Sequence, residues 1–218
     1  MKLESKYLSK IDLDNIKNVG GFNWLCPLAK GVCLKNIKQI QFRGLYPNII
    51  CGIVDSELHK KASDGLQKSL ESFKNKYEYF EKNRSTIKLD SQKYKDYKTS
   101  INSFYGTLGF LSKTDKSPNY SGFVTEYLTY YYDELLEKNN SILYIDTDTI
   151  FYAGEIDLLG LDVSYSTDSI DYILFDSVKR YTMLKEEIIT RGLFKEPQEA
   201  ISLLRTYIRQ DKLEQLDL

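Results

Sequence analysis

The chain has 218 residues, 42% of them hydrophobic and 28% charged, with a formal net charge of −1. That is enough for one large domain or two small ones around a buried core, and it excludes disorder by composition. The charge balance lacks the global basicity of many nucleic-acid binders, so any phosphate contact must come from local patches.

Cys26, Cys33 and Cys51 are odd in number and lack CxxC spacing. They are expected as free thiols in a reducing compartment, not as a disulfide or zinc framework. No basic start leads into an apolar run, and no stretch approaches the length of about eighteen apolar residues that a membrane span needs, so neither a signal peptide nor a span is expected. Eighteen tyrosines are unusual. Each has an apolar body and a hydrogen-bonding tip, suited to core edges and stacking platforms.

Residues 1–19 are polar, with one weak apolar series broken by Gly20-Gly21. Pro27 and Gly31 punctuate the next stretch. Residues 37–42 alternate loosely and predict a strand, and Leu45-Tyr46-Pro47 predicts a turn. Leu66, Leu70, Phe73, Tyr77 and Phe80 recur at offsets 0, 4, 7, 11 and 14, a heptad-like seam within 64–82. Polar residues at 83–89 interrupt it. Tyr94, Tyr97, Ile101 and Phe104 then form a second seam, so an antiparallel helical hairpin is predicted. Residues 119–138 carry a broad apolar stripe from Tyr120 to Leu136 and predict a helix that packs on a sheet. Two β-prone runs, 141–145 and 149–152, flank Asp146-Thr147-Asp148 and predict a hairpin with carboxylates at its tip. Pro197 suits the first turn of a last helix bearing Ile201, Leu204, Tyr207 and Ile208. His59, in a polar stretch beside Lys60 and Lys61, is expected to be solvated.

Two constellations carry chemistry. Asp146 and Asp148 on a tight turn repel each other, and a divalent cation relieves that repulsion. Hard oxygen ligands suit Mg²⁺ or Mn²⁺. Lys98 and Asn102 share a helix face, with Tyr105 adjoining it and Gly106 expected to end the run. A cation, an amide and an aromatic so aligned could hold a triphosphate and stack under a base. Taken alone, each pattern also fits a solvated loop or an amphipathic helix.

Their order along the chain resembles family B DNA polymerases. Leu45-Tyr46-Pro47-Asn48-Ile49-Ile50 resembles motif A (SLYPSII). Lys98 to Gly106 resembles motif B (KxxxNSxYG), and Tyr144 to Thr149 resembles motif C (YGDTDS). Lys179-Arg180-Tyr181 resembles the KKRY motif. The resemblance covers roughly residues 20–195 and implies an α+β fold. That fold is a palm with a small antiparallel sheet packed on helices, a two-helix fingers hairpin and a thumb remnant. It implies a palm in 1–53 and 107–185, fingers in 54–106, and a thumb remnant or C-terminal helix in 186–218. By the same resemblance, Tyr46 packs against the incoming sugar, Lys98 and Asn102 contact the nucleotide, and Tyr105 lies beneath the nascent base pair. Asp146 and Asp148 are catalytic metal ligands. Lys179, Arg180 and Tyr181 grip primer–template DNA. The implied partners are that DNA, a deoxynucleoside triphosphate, and any protein that supplies an exonuclease or thumb, for which the chain is too short. The implied location is intracellular, in the cytoplasm or wherever DNA is replicated.

The departures bear on activity. Gln41 stands where motif A has its aspartate, the carboxylate that bridges both cations in two-metal phosphoryl transfer. A neutral amide offers one carbonyl oxygen and no negative charge. Gly44 replaces the motif serine, Ile145 replaces the motif C glycine, and Lys74 is the nearest candidate for the basic residue of the first fingers helix. These departures leave three readings: a DNA-binding polymerase relative impaired in catalysis by Gln41, an active minimal polymerase with an altered metal site, and an assembly subunit built on a palm.

Overall fold

In a computed structural model, the structure describes residues 1–16, 20–88, 91–114, 117–192 and 196–216, with side chains through residue 211. The expectations that touch 17–19, 89, 193–195 and 217–218 lie outside the described residues. The chain forms two compact units. The first comprises Met1–Gly20, Gly44–Asp133 and Leu161–Val163, and the second Gly21–Arg43, Glu134–Gly160 and Ser164–Leu218.

The first unit is helical, with α1 (Ser5–Leu8), α2 (Leu45–Val54), α3 (Asp64–Asn83), α4 (Gln92–Thr114) and most of α5 (Tyr120–Lys138). The seams predict the hairpin well. Leu66, Leu70, Phe73, Tyr77 and Phe80 of α3 are all buried. Phe73 stacks on Phe104 of α4 at 4.3 Å, and Phe80 stacks on Tyr97. Ser63 caps α3 by accepting from Leu66 N–H at 3.3 Å, satisfying one of the helix's orphan donors.

Three expectations are corrected by the helices. Leu45-Tyr46-Pro47 is the first turn of α2 and not a turn of irregular chain. Pro47 is tolerated because N–H groups in a first turn have no intrahelical acceptor. The reversal occurs one residue earlier, at Gly44, whose φ is 61°. Gly106 does not end α4, which runs on to Thr114. The cost of about 1 kcal/mol for a mid-helix glycine is outweighed by the burial of Leu108 beyond it. His59 is half-buried, with its ring facing the Gln67 carbonyl at 3.4 Å and Glu71 at 3.5 Å.

The tyrosines are deeper than core edges. Tyr7, Tyr120, Tyr127, Tyr131 and Tyr132 are fully buried. Tyr7 meets Tyr127 edge-on at 5.3 Å. The hydroxyls find backbone partners, as buried polar groups must: Tyr127 Oη accepts from Glu4 N–H at 2.9 Å, and Tyr120 Oη donates to Leu58 O at 2.7 Å.

The second unit is built on one antiparallel sheet of β1 (Asn23–Leu25), β2 (Cys33–Phe42), β3 (Ile142–Asp146), β4 (Thr149–Tyr152), β5 (Tyr165–Ser177), β6 (Arg180–Leu184) and β7 (Ile188–Arg191). Its order is β1-β3-β4-β2-β5-β6-β7, wider than the small sheet expected. The predicted hairpin is β3–β4. The predicted strand 37–42 extends back to Cys33, and β5 pairs along nearly its whole length. Tyr144, Phe151, Phe175 and Tyr181 form an aromatic core with centroids 5.1 to 5.9 Å apart. Helix α6 (Pro197–Leu216) contacts β5, β6 and β7. It is tied down by Asp211, which accepts from Lys35 Nζ at 2.7 Å and Tyr172 Oη at 2.8 Å. The three cysteines are free thiols.

Candidate functional site

The carboxylate turn belongs to the second unit. Asp146 ends β3, Thr147 and Asp148 make the turn, and Thr149 opens β4. Directly opposed residues of an antiparallel pair project to the same face. Asn23 opposes Asp146, Asp146 opposes Thr149, and Thr149 opposes Gln41. An amide, a carboxylate, a hydroxyl and a second amide therefore line up across β1, β3, β4 and β2.

The turn is held from both sides. Thr147 N–H donates to Phe22 O at 2.9 Å, and Phe42 N–H donates to Asp148 O at 2.8 Å. Thr147 has φ 57°, a left-handed conformation that a β-branched residue adopts only under constraint. The residue after Gln41 is thus bonded to the backbone of Asp148, so the motif A-like strand registers on the motif C-like turn. Gln41 itself is exposed on this face. Asp168 shares the face, opposite Gln39, but its carboxylate is paired with Lys185 at 2.9 Å. Among the described residues, no three His, Cys, Asp or Glu side chains cluster as a metal site. The oxygen donors of the row nevertheless suit a hard cation.

The β5–β6 turn carries the KRY-like residues. Lys179 has φ 67° and is exposed. Its N–H donates to the hydroxyl of fully buried Tyr144 at 2.9 Å. Burial pushes the Tyr144 phenol up, and the Asp146 charge beside it adds to the shift. Gly192 (φ 92°) backs the same turn, where a Cβ would collide with the Lys179 carbonyl. Arg180 is engaged locally, donating to Ser177 Oγ at 2.7 Å and pairing with Asp176 at 2.9 Å. Tyr181, expected on the DNA surface, is a core residue only 8% exposed. Burial drives its phenol up to about 12, opposed by Arg191 and aided by Asp146 and Asp148. Arg191 opposes Tyr181 across β6–β7 and places an exposed cation that sequence reasoning missed.

The residues expected to contact nucleotide belong to the first unit. Tyr46 in α2 and Tyr105 in α4 meet edge-to-face, with centroids 4.8 Å apart. Tyr105 Oη donates to Ser121 O at 3.2 Å, and burial raises its pKa. Lys98 and Asn102 are exposed, one turn apart on α4, on the flank of its buried seam that adjoins Tyr105. Lys74 is not available as a second cation: it is ion-paired with Asp55 and, at 3.5 Å, with Glu78.

Glycine at position 44 is required on physical grounds. Its left-handed φ favours glycine, and a Cβ would collide with the Tyr77 hydroxyl. Asn48 Nδ2 bonds both that hydroxyl, at 2.9 Å, and Gly44 O, at 2.8 Å. A serine in that position would displace Tyr77.

No family model matches the chain, and no curated protein matches it in sequence. Solved structures do. The family B DNA polymerase of the hyperthermophilic archaeon Pyrobaculum calidifontis matches over 92% of this chain at 16% identity with a TM-score of 0.49. Phi29 DNA polymerase complexed with single-stranded DNA matches over 86% at 13% identity with a TM-score of 0.56. This chain spans 35% of the length of the first and 56% of the second. The second likeness shows the fold, an α+β polymerase palm-like arrangement of helices and antiparallel sheet.

Proposed function

We propose that the chain binds primer–template DNA and a deoxynucleoside triphosphate, and that Gln41 leaves it impaired in nucleotidyl transfer. The observation that carries this reading is the bond from Phe42 N–H to Asp148 O. It sets Gln41 on the strand beside the carboxylate turn, which supports reading Gln41 as standing where the resemblance implies a metal-bridging carboxylate in addition to Asp146 and Asp148.

The residues divide the work. Asp146 and Asp148 would hold Mg²⁺ or Mn²⁺. When bound, such a cation offsets charge on a reacting phosphoryl group. Gln41 can lend an oxygen but no charge, so it cannot clamp a pair of cations as a carboxylate does. Lys98 attracts the triphosphate as a point charge, Asn102 offers an amide to it, and the Tyr46–Tyr105 pair supplies aromatic surface for a sugar and a base. Lys179 provides phosphate contact from a turn whose backbone is fixed by Tyr144 and Gly192. No helix among the described residues is long and apolar enough to cross a membrane.

Fluorescence anisotropy of labelled primer–template DNA tests this. Binding should occur at low salt, and the complementary nucleotide should tighten it. Lys98→Ala should abolish the nucleotide effect and leave DNA affinity nearly intact. DNA binding that ignores nucleotide in the wild type would refute the nucleotide half of the proposal. Absent DNA binding would favour an assembly subunit.

A further inference from the structure

Asn23 carries a polar group that nothing in the second unit satisfies. Its Nδ2 donates to Gly21 O at 2.6 Å. Its Oδ1 is buried and has no hydrogen-bond partner among the described residues. The amide cannot simply be turned over, because that would set Oδ1 against the Gly21 carbonyl. A buried, unpartnered carbonyl is costly, and in a native protein it calls for a donor, a water or an ion. Asn23 stands directly opposite Asp146, so an amide oxygen and a carboxylate neighbour each other on one face. Asp146 accepts from Thr147 Oγ1 at 3.3 Å and meets the Tyr144 hydroxyl; neither serves Asn23.

We infer that Asn23 Oδ1 is a ligand for the divalent cation that Asp146 holds, on the β1 side of the carboxylate, away from Gln41. This rests on the proposed role of the carboxylate turn. The donor set is an amide oxygen and a carboxylate, hard ligands of the kind Mg²⁺ and Mn²⁺ take. A cation between them relieves the orphan carbonyl and the half-buried Asp146 charge together. Because β1 is an edge strand held to β3, the pair is set by the sheet register and not by a mobile loop. The ligands then come from β1 and β3, while Gln41 on β2 adds no charge.

Mn²⁺ titration of the full chain, with free Mn²⁺ read by electron paramagnetic resonance, tests the assignment without reference to activity. Wild type should bind, and Asp146→Asn should bind far more weakly. Asn23→Leu should lose about tenfold or more in affinity, the scale on which groups around a metal site matter. Asn23→Asp, which keeps the side-chain shape and adds charge, should bind more tightly than wild type. Thermal melts without metal identify any variant that fails to fold, and Asn23→Asp decides the matter if Asn23→Leu does not fold. Weak binding by Asp146→Asn combined with wild-type affinity in both Asn23 variants overturns this inference and leaves the carboxylate turn standing. Wild-type affinity in Asp146→Asn, or no uptake by wild type, overturns both.

Discussion

The buried hydroxyl of Tyr144 accepts the backbone N–H of Lys179 at 2.9 Å and lies against the Asp146 carboxylate. One phenol therefore links the carboxylate turn of β3–β4 to the cationic turn of β5–β6. Tyr144→Phe keeps the ring in the aromatic core and removes only that link. Losing this part-buried bond should cost about 0.5–1.5 kcal/mol, readable in urea unfolding. DNA affinity should fall as the turn loosens. A variant equal to wild type in both would show that the turn is held without Tyr144.

The two cations of the β5–β6 turn should not behave alike. Lys179 is exposed, whereas Arg180 is engaged with Asp176 and Ser177. Lys179→Ala should weaken DNA binding and flatten the slope of log affinity against log salt by about one. Arg180→Ala should change that slope less. Equal effects in a salt series would contradict the assignment.

Gly44 and Tyr77 should be coupled. Gly44→Ala forces a Cβ into left-handed backbone at a cost of about 1–2 kcal/mol, and into the Tyr77 hydroxyl. Tyr77→Phe removes that hydroxyl, so the double variant should lose less stability than the two single changes summed. A coupling of about 0.5–3 kcal/mol is the expected scale. Strict additivity in denaturant melts would mean that the backbone strain alone matters.

Helix α6 should loosen in acid. Lys35, then Tyr172, hold the Asp211 carboxyl below its ordinary value of 3.8. A depressed folded pKa contributes stability that is present above the unfolded value and is lost as pH falls through the folded one. Protection of α6 amides, measured against the intrinsic exchange rate at each pH, should therefore fall below about pH 4, and Asp211→Asn should lack this extra step. Identical acid profiles would remove the carboxylate from the docking of α6.

Much of the fold is legible in the sequence because it depends on local period. The α3 seam predicts five positions, and all five are buried. The stripe of α5 and the apolar flanks of Asp146 and Asp148 are equally direct. Other elements depend on distant partners. Residues 165–169 of β5 are mostly exposed and polar, and they form a strand because β2 offers a full ladder. Pro47 reads as a turn until the helix behind it is seen. Asn23 means nothing until β1 is laid against β3. The substitution at Gln41 is visible only against the motif it resembles. Its placement beside the carboxylate turn needs the register of β2 on β4.

The most direct measurement is primer extension by wild type and Gln41→Asp, side by side in Mg²⁺ and in Mn²⁺. Wild type should extend very slowly or not at all, and Gln41→Asp should show a clear rise. Loss of an electrostatic element that stabilises a transition state typically costs about a hundredfold or more, and the restored carboxylate should recover part of that. Wild-type extension at an ordinary polymerase rate, unchanged by Gln41→Asp, would contradict the claim that Gln41 limits catalysis.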